Sequence, residues 1–262
     1  MSLHIFSLYS GSSGNSFLFA NETAEGTNCI LIDGGKNAKR LCAAIAECGY
    51  SPAEVRAVFV THEHSDHISA LPVFARRYDI PVHAVGETAF VLATAMVEPS
   101  LIISHPAVFQ AEVGGFSVYS FPTPHDSRAS VGYRIEVETD EGVCKIGYAT
   151  DMGILTETVE ENLLGCNCVI LESNHDVERL MTGPYPYYLK NRIRGERGHL
   201  SNADCADLAE RLAESGTKKI MLAHLSRQNN TPELAYNATA ARLEGTDVEL
   251  LVAAPEKVVQ LL

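Results

Sequence analysis

Four side chains that can bind metal stand close together in the first third of the chain. Residues 61–67 read Thr-His-Glu-His-Ser-Asp-His, which places possible ligands at His62, His64, Asp66 and His67. Neutral imidazole and carboxylate groups suit zinc or manganese-like ions. The run directly follows residues 55–60, whose β-branched content predicts a buried strand. A tight loop at the end of that strand can turn all four side chains toward one point, so the sequence predicts a metal site.

Three other polar residues take a similar place in the sequence. Asp151, Glu172 and His224 each come just past the carboxyl end of an apolar segment. In an α/β protein such strand ends face a common rim, which is where sites form. We therefore expect these side chains to converge on the 62–67 loop.

The 62–67 run resembles the H-x-H-x-D-H motif of metallo-β-lactamase-fold hydrolases, and the other motifs of that superfamily follow in order along almost the whole chain. Asp33, after an early strand, resembles the aspartate that orders the histidine loop. His125, in Pro-Thr-Pro-His-Asp, resembles the third histidine of the first metal site. Asp151 resembles the aspartate that bridges both metals, and His224 resembles the last histidine of the set.

The resemblance implies a dinuclear centre. The first ion would be held by His62, His64 and His125, and the second by Asp66, His67 and His224, with Asp151 shared between them. Two divalent cations a few Å apart lower the pKa of a shared water and clamp a displacement at phosphorus or carbon. Zinc is the favoured ion, with manganese or iron as alternatives. In the diiron oxidoreductase branch of the fold a Glu replaces the second histidine, so His64 favours a hydrolase.

Two further motifs bear on the substrate. Residues 171–175 (Leu-Glu-Ser-Asn-His) and 198–202 (Gly-His-Leu-Ser-Asn) resemble motifs of the nuclease branch, which includes the β-CASP enzymes and RNase J. A hydrogen-bonded Glu172–His199 pair would keep His199 cationic, ready to bind the scissile phosphate and protonate the leaving oxygen. We therefore predict that Glu172 and His199 act with Asp66 in catalysis. The alternatives are a surface acid at 172 and a simple helix-start residue at 199.

A local basic segment precedes His199 in an otherwise acidic chain. Residues 190–197 carry four basic side chains and one acid, and could follow a phosphate backbone. The basic residues are Lys190, Arg192, Arg194 and Arg197. A solvated loop or helix face is the alternative. Tyr185, Tyr187 and Tyr188 stand just before the segment and suit either base stacking or core packing.

The loop at residues 10–16, Ser-Gly-Ser-Ser-Gly-Asn-Ser, resembles the opening loop of the YycJ/WalJ subfamily. That subfamily also shows E-S-N-H-D and G-H-L-S-N, which are both present. The likeness implies a nuclease that degrades DNA from 5′ to 3′, with Ser13 and Asn15 beneath the metals. His175 is interpreted as either a cleft residue or a structural one. Only 27 positions separate Glu172 from His199, so no large cap domain is inserted between them.

Two other functions stay open at this point. A small-molecule metallohydrolase, such as a thioesterase, lactonase or cyclic phosphodiesterase, would use the same ligands. A metal-dependent binding module would bind DNA or a partner without turnover. A narrow closed pocket would favour the former, and an open basic groove would favour a nuclease.

Composition limits the class of protein. The chain has 262 residues, of which 46% are hydrophobic, and a net charge of −13, so a nucleic-acid enzyme needs metals or a local basic patch for its substrate. No apolar run has the length of about 18 residues that a membrane span needs. The amino terminus lacks a secretory pattern, which predicts a cytoplasmic protein without membrane contact.

Strand and helix patterns alternate along the sequence and must position these residues. Strands are predicted at 3–9, 16–20, 28–32, 55–60, 81–84, 116–121, 131–138, 143–149, 167–172 and 218–223, with two short ones at the end. Helices are predicted at 38–48, 68–78 with a kink at Pro72, 87–97, 156–163, 202–215 and 232–243. Together with the resemblance, this order predicts an α/β fold in one domain, residues 1–262. Its architecture would be a four-layer αββα sandwich, in which two mixed sheets pack face to face with helices outside.

Overall fold

The strands assemble into two mixed sheets in the computed structural model, which describes residues 2–95 and 97–262. The first sheet has the order β14-β1-β2-β3-β4-β5-β6. Its strands are β1 (Ser2–Tyr9), β2 (Ser16–Thr23), β3 (Gly26–Ile32), β4 (Val55–Phe59), β5 (Val82–Val85), β6 (Ile102–His105) and β14 (Val259–Gln260). The second has the order β13-β12-β11-β10-β9-β8-β7. Its strands are β7 (Gln110–Val113), β8 (Phe116–Pro122), β9 (Val131–Thr139), β10 (Gly142–Ala149), β11 (Cys168–Glu172), β12 (Lys219–Ala223) and β13 (Glu249–Val252).

Each sheet joins an antiparallel half to a parallel half. In the first sheet β1, β2 and β3 pair antiparallel, and β3 to β6 run parallel. In the second, β7 to β10 pair antiparallel, and β10 to β13 run parallel. The carboxyl ends of parallel strands lie at one edge of a sheet, so the residues that follow β3, β4, β10, β11 and β12 can meet there.

Nine α-helices occur in the described residues, and most of them cover the outer faces of the two sheets. They are α1 (Ala38–Glu47), α2 (Ser65–Ile68), α3 (Leu71–Tyr78), α4 (Gly86–Thr94), α5 (Glu157–Leu163), α6 (Val177–Thr182), α7 (Tyr187–Arg194), α8 (Asn202–Glu214) and α9 (Pro232–Arg242). Asn37 caps α1 by accepting from the amide of Arg40, and Gly49 follows its end with φ 90°. Ser201 caps α8 in the same way through the amide of Asp204.

Three apolar layers hold the molecule together. Between the sheets, Phe17, Phe19, Tyr133 and Tyr148 are almost fully buried in one cluster. A second cluster packs α1 and α3 onto the first sheet, and a third packs α5, α8 and α9 onto the second. Burial of such side chains stabilises the fold by roughly 1.5–3 kcal/mol each. The predicted four-layer αββα sandwich is confirmed.

The prediction of one kinked helix over 68–78 is wrong. Two helices occupy this region, since α2 ends at Ile68 and α3 starts at Leu71. Pro72 lies in the first turn of α3, where its missing amide hydrogen is not needed. The break lets α2 belong to the metal-binding loop while α3 packs into the core.

Other differences concern ends and short elements. The helix predicted at 87–97 is α4, which ends at Thr94, and residue 96 lies outside the described residues. Strands β6 and β7 and helices α6 and α7 were not predicted; they have at most one buried residue each, so their sequences carry little hydrophobic periodicity. Within the described ranges no helix is both long and apolar enough to cross a membrane.

Candidate metal centre and active site

Three of the predicted site residues follow strands in a backbone conformation that side chains rarely adopt. Asp33 after β3, Asp151 after β10 and His224 after β12 have φ values of 61°, 59° and 56°. Asp and His tolerate this left-handed region better than most residues, and such conformations cluster at functional sites. The sharp turn sends each side chain across the end of its sheet toward the 62–67 loop.

Asp33 orders the histidine loop from below. Its buried carboxylate accepts from the Thr61 amide (2.8 Å) and hydroxyl (2.8 Å) and contacts His67 Nδ1 at 2.7 Å. With Nδ1 engaged, Nε2 of His67 is the nitrogen left for a metal. The Asp33 role that the resemblance implied matches this geometry.

The first predicted metal cluster comes together at the rim. His62 Nε2 lies 3.0 Å from His64 Nδ1, and His125 Nε2 lies 3.4 Å from the same atom. Nitrogens held in a tetrahedron by one zinc ion at about 2.0–2.1 Å are about 3.3 Å apart. His125 also has its Nδ1 3.1 Å from the Gly198 carbonyl, which fixes the ring. These three nitrogens are therefore spaced as the ligands of a single ion.

The second predicted cluster lies beside the first. Asp66 Oδ2 lies 3.5 Å from His67 Nε2 and 3.8 Å from His224 Nε2. Asp151 spans the gap, with Oδ2 3.5 Å from His67 Nε2 and Oδ1 3.8 Å from His125 Nε2. One carboxylate thus faces both clusters, as a bridging ligand must.

Of ten buried side-chain atoms that have no hydrogen-bond partner among the residues described, two belong to the cage. They are Oδ2 of Asp151 and Nε2 of His224. A buried polar atom without a partner costs about 1–3 kcal/mol, so both atoms call for a ligand that the protein does not itself supply. The donor set of imidazole and carboxylate suits a divalent cation. The site is a divalent-metal site.

Glu172 links the metal site to His199. Its Oε1 lies 2.8 Å from Nδ1 of His199 and 2.9 Å from Nδ1 of His224. Its Oε2 accepts from the amides of Met152 and Leu200. The carboxylate is fully buried, so it fixes the two imidazole rings against the ends of β10 and β11. The other ring nitrogen of His199, Nε2, has no hydrogen-bond partner among the described residues.

Charge and burial set the protonation preferences. Burial lowers the pKa of His62 well below its usual value, and the surrounding imidazoles lower it further, which favours the neutral form that binds metal. Burial also disfavours the cation at His199, but the Glu172 carboxylate outweighs it and raises the pKa of His199. The two histidines differ because only His199 has a carboxylate partner at hydrogen-bond distance.

The 10–16 loop passes directly under the metal cage. Asn15 accepts from the Gly11 amide, and its side-chain nitrogen lies 3.0 Å from His67 Nε2 and 3.2 Å from Asp66 Oδ2. Ser10 Oγ accepts from the amide of His224, which fixes the turn after β12.

Lys36, whose side chain is only 6% exposed, also contacts the 10–16 loop. Lys36 Nζ donates to Ser13 Oγ at 2.8 Å and to Glu256 at 2.7 Å. Ser13 therefore faces Lys36, while the neighbouring Ser12 lines the cleft described next. Lys36 was not predicted, and its value of φ, 63°, cannot be read from a sequence.

A cleft of about 200 Å³ opens beside the cage. One wall comes from α7 and the residues just before it, and the other from the loops after β11 and β12 and from the 10–16 loop. The lining residues are Ser12, Asp126, Asn174, Tyr185, Leu189, Arg192, Ile193, Gly198, His199, His224 and Ser226. The cleft is smaller than the roughly 300–1,000 Å³ of typical small-molecule pockets, so a larger substrate must extend beyond it.

The four basic residues of 190–197 have different surroundings. Lys190 donates to the carbonyls of Met181 and Gly183, and Arg197 donates to those of His125 and Ser127. These two side chains hold neighbouring backbone segments in place through those carbonyls. Their contact with a substrate stays a prediction.

The other two basic side chains reach the surface. Arg192 pairs through Nε with Asp126 at the mouth of the cleft, and its side chain is 61% exposed. Arg194 donates to the Met181 sulfur, and its side chain has no other hydrogen bond or ion pair within the described ranges. Asp126 was not predicted, although it directly follows the ligand His125.

The remaining histidines separate into two groups. His175 is buried, forms a bridge with Ser201 and does not line the cleft, so its structural interpretation fits better. His83 and His105 face each other in the first sheet, with Nδ1 and Nε2 3.0 Å apart. His4 lies on β1 beside Glu22. All three lie outside the cage.

Two sheets in an αββα sandwich, with a histidine and aspartate cage at one rim, define a metallohydrolase of the metallo-β-lactamase fold. A family model described as a beta-lactamase superfamily domain matches residues 28–225. Exodeoxyribonuclease WalJ of Streptococcus pneumoniae is 34% identical over 245 residues, covering 92% of this chain and 88% of WalJ. Exodeoxyribonuclease YycJ of Bacillus anthracis is 34% identical over 248 residues, covering 93% and 90%. This chain belongs to the beta-lactamase superfamily and, within it, to the family of WalJ and YycJ.

Solved structures share the fold at lower identity. The metallo-β-lactamase fold protein YhfI of Bacillus subtilis superposes with a TM-score of 0.72 at 16% identity, over 99% of this chain and 100% of YhfI. The short form of human tRNase Z superposes with a TM-score of 0.63 at 15% identity, over 99% of both chains.

Proposed function

We propose that this protein is a metal-dependent exodeoxyribonuclease that hydrolyses phosphodiester bonds of DNA from the 5′ end. The observation that carries the proposal is the Glu172–His199 pair, whose Oε1 and Nδ1 are 2.8 Å apart beside the metal cage. The relatives WalJ and YycJ, which cover most of the chain, are named exodeoxyribonucleases.

The cage would hold two divalent cations, with zinc favoured. His62, His64 and His125 are the proposed ligands of one ion, Asp66, His67 and His224 those of the other, and Asp151 is shared. When bound, the ions would lower the pKa of water and neutralise charge on the phosphate. Asp33 and Asn15 hold the ligand loop in place.

His199 is the proposed group that binds the scissile phosphate and protonates the leaving oxygen. Its Nδ1 is held by Glu172, and the ring lines the cleft, so Nε2 is the atom available to the substrate. General acid catalysis of this kind contributes roughly 10²–10⁴-fold to the rate.

Cleavage of end-labelled oligonucleotides tests the activity and its direction. The metal-loaded protein is expected to release a labelled mononucleotide first from 5′-labelled DNA and only late from 3′-labelled DNA. Substrates that stay intact, both DNA and RNA, would rule out the nuclease and favour a small-molecule hydrolase.

The role of His199 is tested by changing the leaving group. His199→Ala is expected to slow DNA hydrolysis by roughly 10²–10⁴-fold. Hydrolysis of a p-nitrophenyl phosphodiester should suffer much less, because p-nitrophenolate leaves without a proton. The matched control is His4→Ala, because His4 lies near the amino end of β1 and outside the cage. Equal losses on both substrates would contradict the proton-donor role.

A further inference from the structure

Helix α7 differs from the other helices in its exposure. Among the α-helices of the described chain it is the one without a buried residue. Tyr187 and Tyr188, at its start, are 71% and 74% exposed, and no hydrogen bond or ring contact involves either side chain within the described ranges. Large aromatic side chains usually bury much of their surface, so two adjacent exposed rings need a reason.

The tyrosines and arginines of α7 form two short rows. Side chains three, four or seven positions apart lie on the same side of a helix. Tyr188 and Arg192 are four apart, and Tyr187 and Arg194 are seven apart. Each exposed ring is therefore followed by a guanidinium group on the same side of α7, one or two turns of about 5.4 Å further along.

The charge of this helix contrasts with that of the chain. Residues 183–197 contain four basic residues and one acid, whereas the whole chain has a net charge of −13. Arg194 has no acidic partner among the described residues, and Arg192 is 61% exposed beyond its contact with Asp126. The positive charge of this helix would therefore attract a polyanion.

The same helix is continuous with the proposed active site. Leu189, Arg192 and Ile193 line the cleft that His199 and His224 also line. Lys190 fastens α7 to the end of α6 by donating to two backbone carbonyls at 2.7 Å. The helix is therefore a fixed surface that leads to the metal cage.

We propose that α7 docks the single-stranded part of the DNA substrate, with bases stacked on Tyr187 and Tyr188 and phosphates paired with Arg192 and Arg194. The proposal rests on the proposed function. A single strand offers free base faces to aromatic rings, whereas a duplex hides them between stacked pairs. The cleft takes the end of the strand, and α7 carries the nucleotides that follow.

Binding of a fluorescein-labelled oligothymidylate with phosphorothioate linkages tests the stacking. The double variant Tyr187→Ala/Tyr188→Ala is expected to raise Kd about tenfold or more, because stacking is worth about 1–3 kcal/mol per base. Tyr187→Phe/Tyr188→Phe keeps the rings and should stay within about twofold. Tyr236→Ala, an exposed tyrosine on α9, should leave Kd unchanged. An unchanged Kd in the double alanine variant overturns the proposal, as does an equal loss in the phenylalanine variant.

Salt dependence tests the phosphate contacts. In single strands each neutralised phosphate contributes about −0.7 to the slope of log K against log salt. Arg194→Gln should therefore make the slope shallower by about 0.7. Lys218→Gln should leave the slope unchanged, because Lys218 directly precedes β12, at the opposite end of that strand from His224. An unchanged slope for Arg194→Gln overturns this pairing.

The two proposals can fail separately. Intact DNA with wild-type protein contradicts the nuclease. DNA hydrolysis with an unchanged KM for single strands in the double alanine variant contradicts only the α7 surface. A rise in KM confined to duplex DNA would also contradict it.

Discussion

Glu172 and His199 lie 27 positions apart in sequence, yet Oε1 of one is 2.8 Å from Nδ1 of the other. The same oxygen contacts His224 Nδ1 at 2.9 Å. A single carboxylate therefore orients both a proposed metal ligand and the proposed proton donor. Strands β11 and β12 run parallel and adjacent, which brings His224 beside Glu172. His199 reaches the same oxygen because the segment before α8 is hydrogen-bonded to the residues after β11, through Asn174 with Leu200 and His175 with Asn202.

Glu172→Gln should remove this double support. An amide nitrogen cannot accept a hydrogen bond. In one orientation of the glutamine both imidazole N–H groups lose their shared acceptor, and in the other the amides of Met152 and Leu200 lose theirs. We expect DNA hydrolysis to fall by roughly 10²-fold or more and metal affinity to fall roughly 10–100-fold. Steady-state kinetics and metal titration measure these effects. Glu161→Gln, an exposed change on α5, is the control. Full activity in Glu172→Gln would remove Glu172 from the site.

Metal removal should destabilise the fold. Asp151 Oδ2 and His224 Nε2 are buried without hydrogen-bond partners among the described residues, so both atoms lose their ligand when the cation is removed. A ligand at about 1,000 times its Kd stabilises by about 4 kcal/mol. Chelation should therefore lower the melting temperature by roughly 8–16 °C, measured by calorimetry. Restored zinc should reverse the shift, and an unchanged melting temperature would contradict a resident metal.

The number of bound ions follows from the same cage. Asp66→Asn should lower the metal content from two ions per chain to about one, because its carboxylate belongs to one cluster. Elemental analysis of the purified protein measures the ratio. The exposed Asp247→Asn should keep both ions. A ratio of two in Asp66→Asn would contradict the proposed division of ligands.

Gly35→Ala should disturb the ligand loop through the backbone. A Cβ at this position would lie 2.1 Å from the Asp66 carbonyl oxygen and 2.4 Å from the Asn15 amide nitrogen. Neither atom can rotate away, so we expect a loss of roughly 3 kcal/mol in the free energy of unfolding and weaker metal binding. Denaturant unfolding measures it. Gly86→Ala, whose Cβ meets Ser104 at 3.7 Å, should change stability by no more than about 1 kcal/mol. Equal losses of stability in Gly35→Ala and Gly86→Ala would contradict the close packing of the backbone around Gly35.

Acid should weaken the His83–His105 contact in the first sheet. Burial, with a smaller effect of His105, lowers the pKa of His83 from 6.5 to about 4. Between these values the unfolded chain binds more protons than the folded one, so stability falls as pH falls through this window. His83→Gln should flatten that part of the stability curve, measured by denaturant unfolding at fixed metal concentration. If the stability of His83→Gln fell with pH as steeply as that of the wild type, His83 would not be the residue responsible.

Residue types and their spacing were enough to predict the candidate ligands, the strands that carry them and the order of the motifs. Local patterns suffice for this because a buried strand needs apolar residues, and a metal needs imidazole and carboxylate groups. The kink predicted at Pro72 was wrong because the same residue suits either a kink or the first turn of a new helix.

Tertiary structure alone decided how the distant parts meet. The sharing of Glu172 by His199 and His224 depends on the pairing of β11 with β12 and on the hydrogen bonds that hold the segment before α8 against the residues after β11, and no local pattern specifies either. The four basic residues of 190–197 look alike in sequence, yet Lys190 holds backbone while Arg194 stays at the surface. The difference arises because Lys190 reaches the backbone carbonyls at the end of α6, whereas Arg194, one turn further along the same side of α7, reaches the Met181 sulfur.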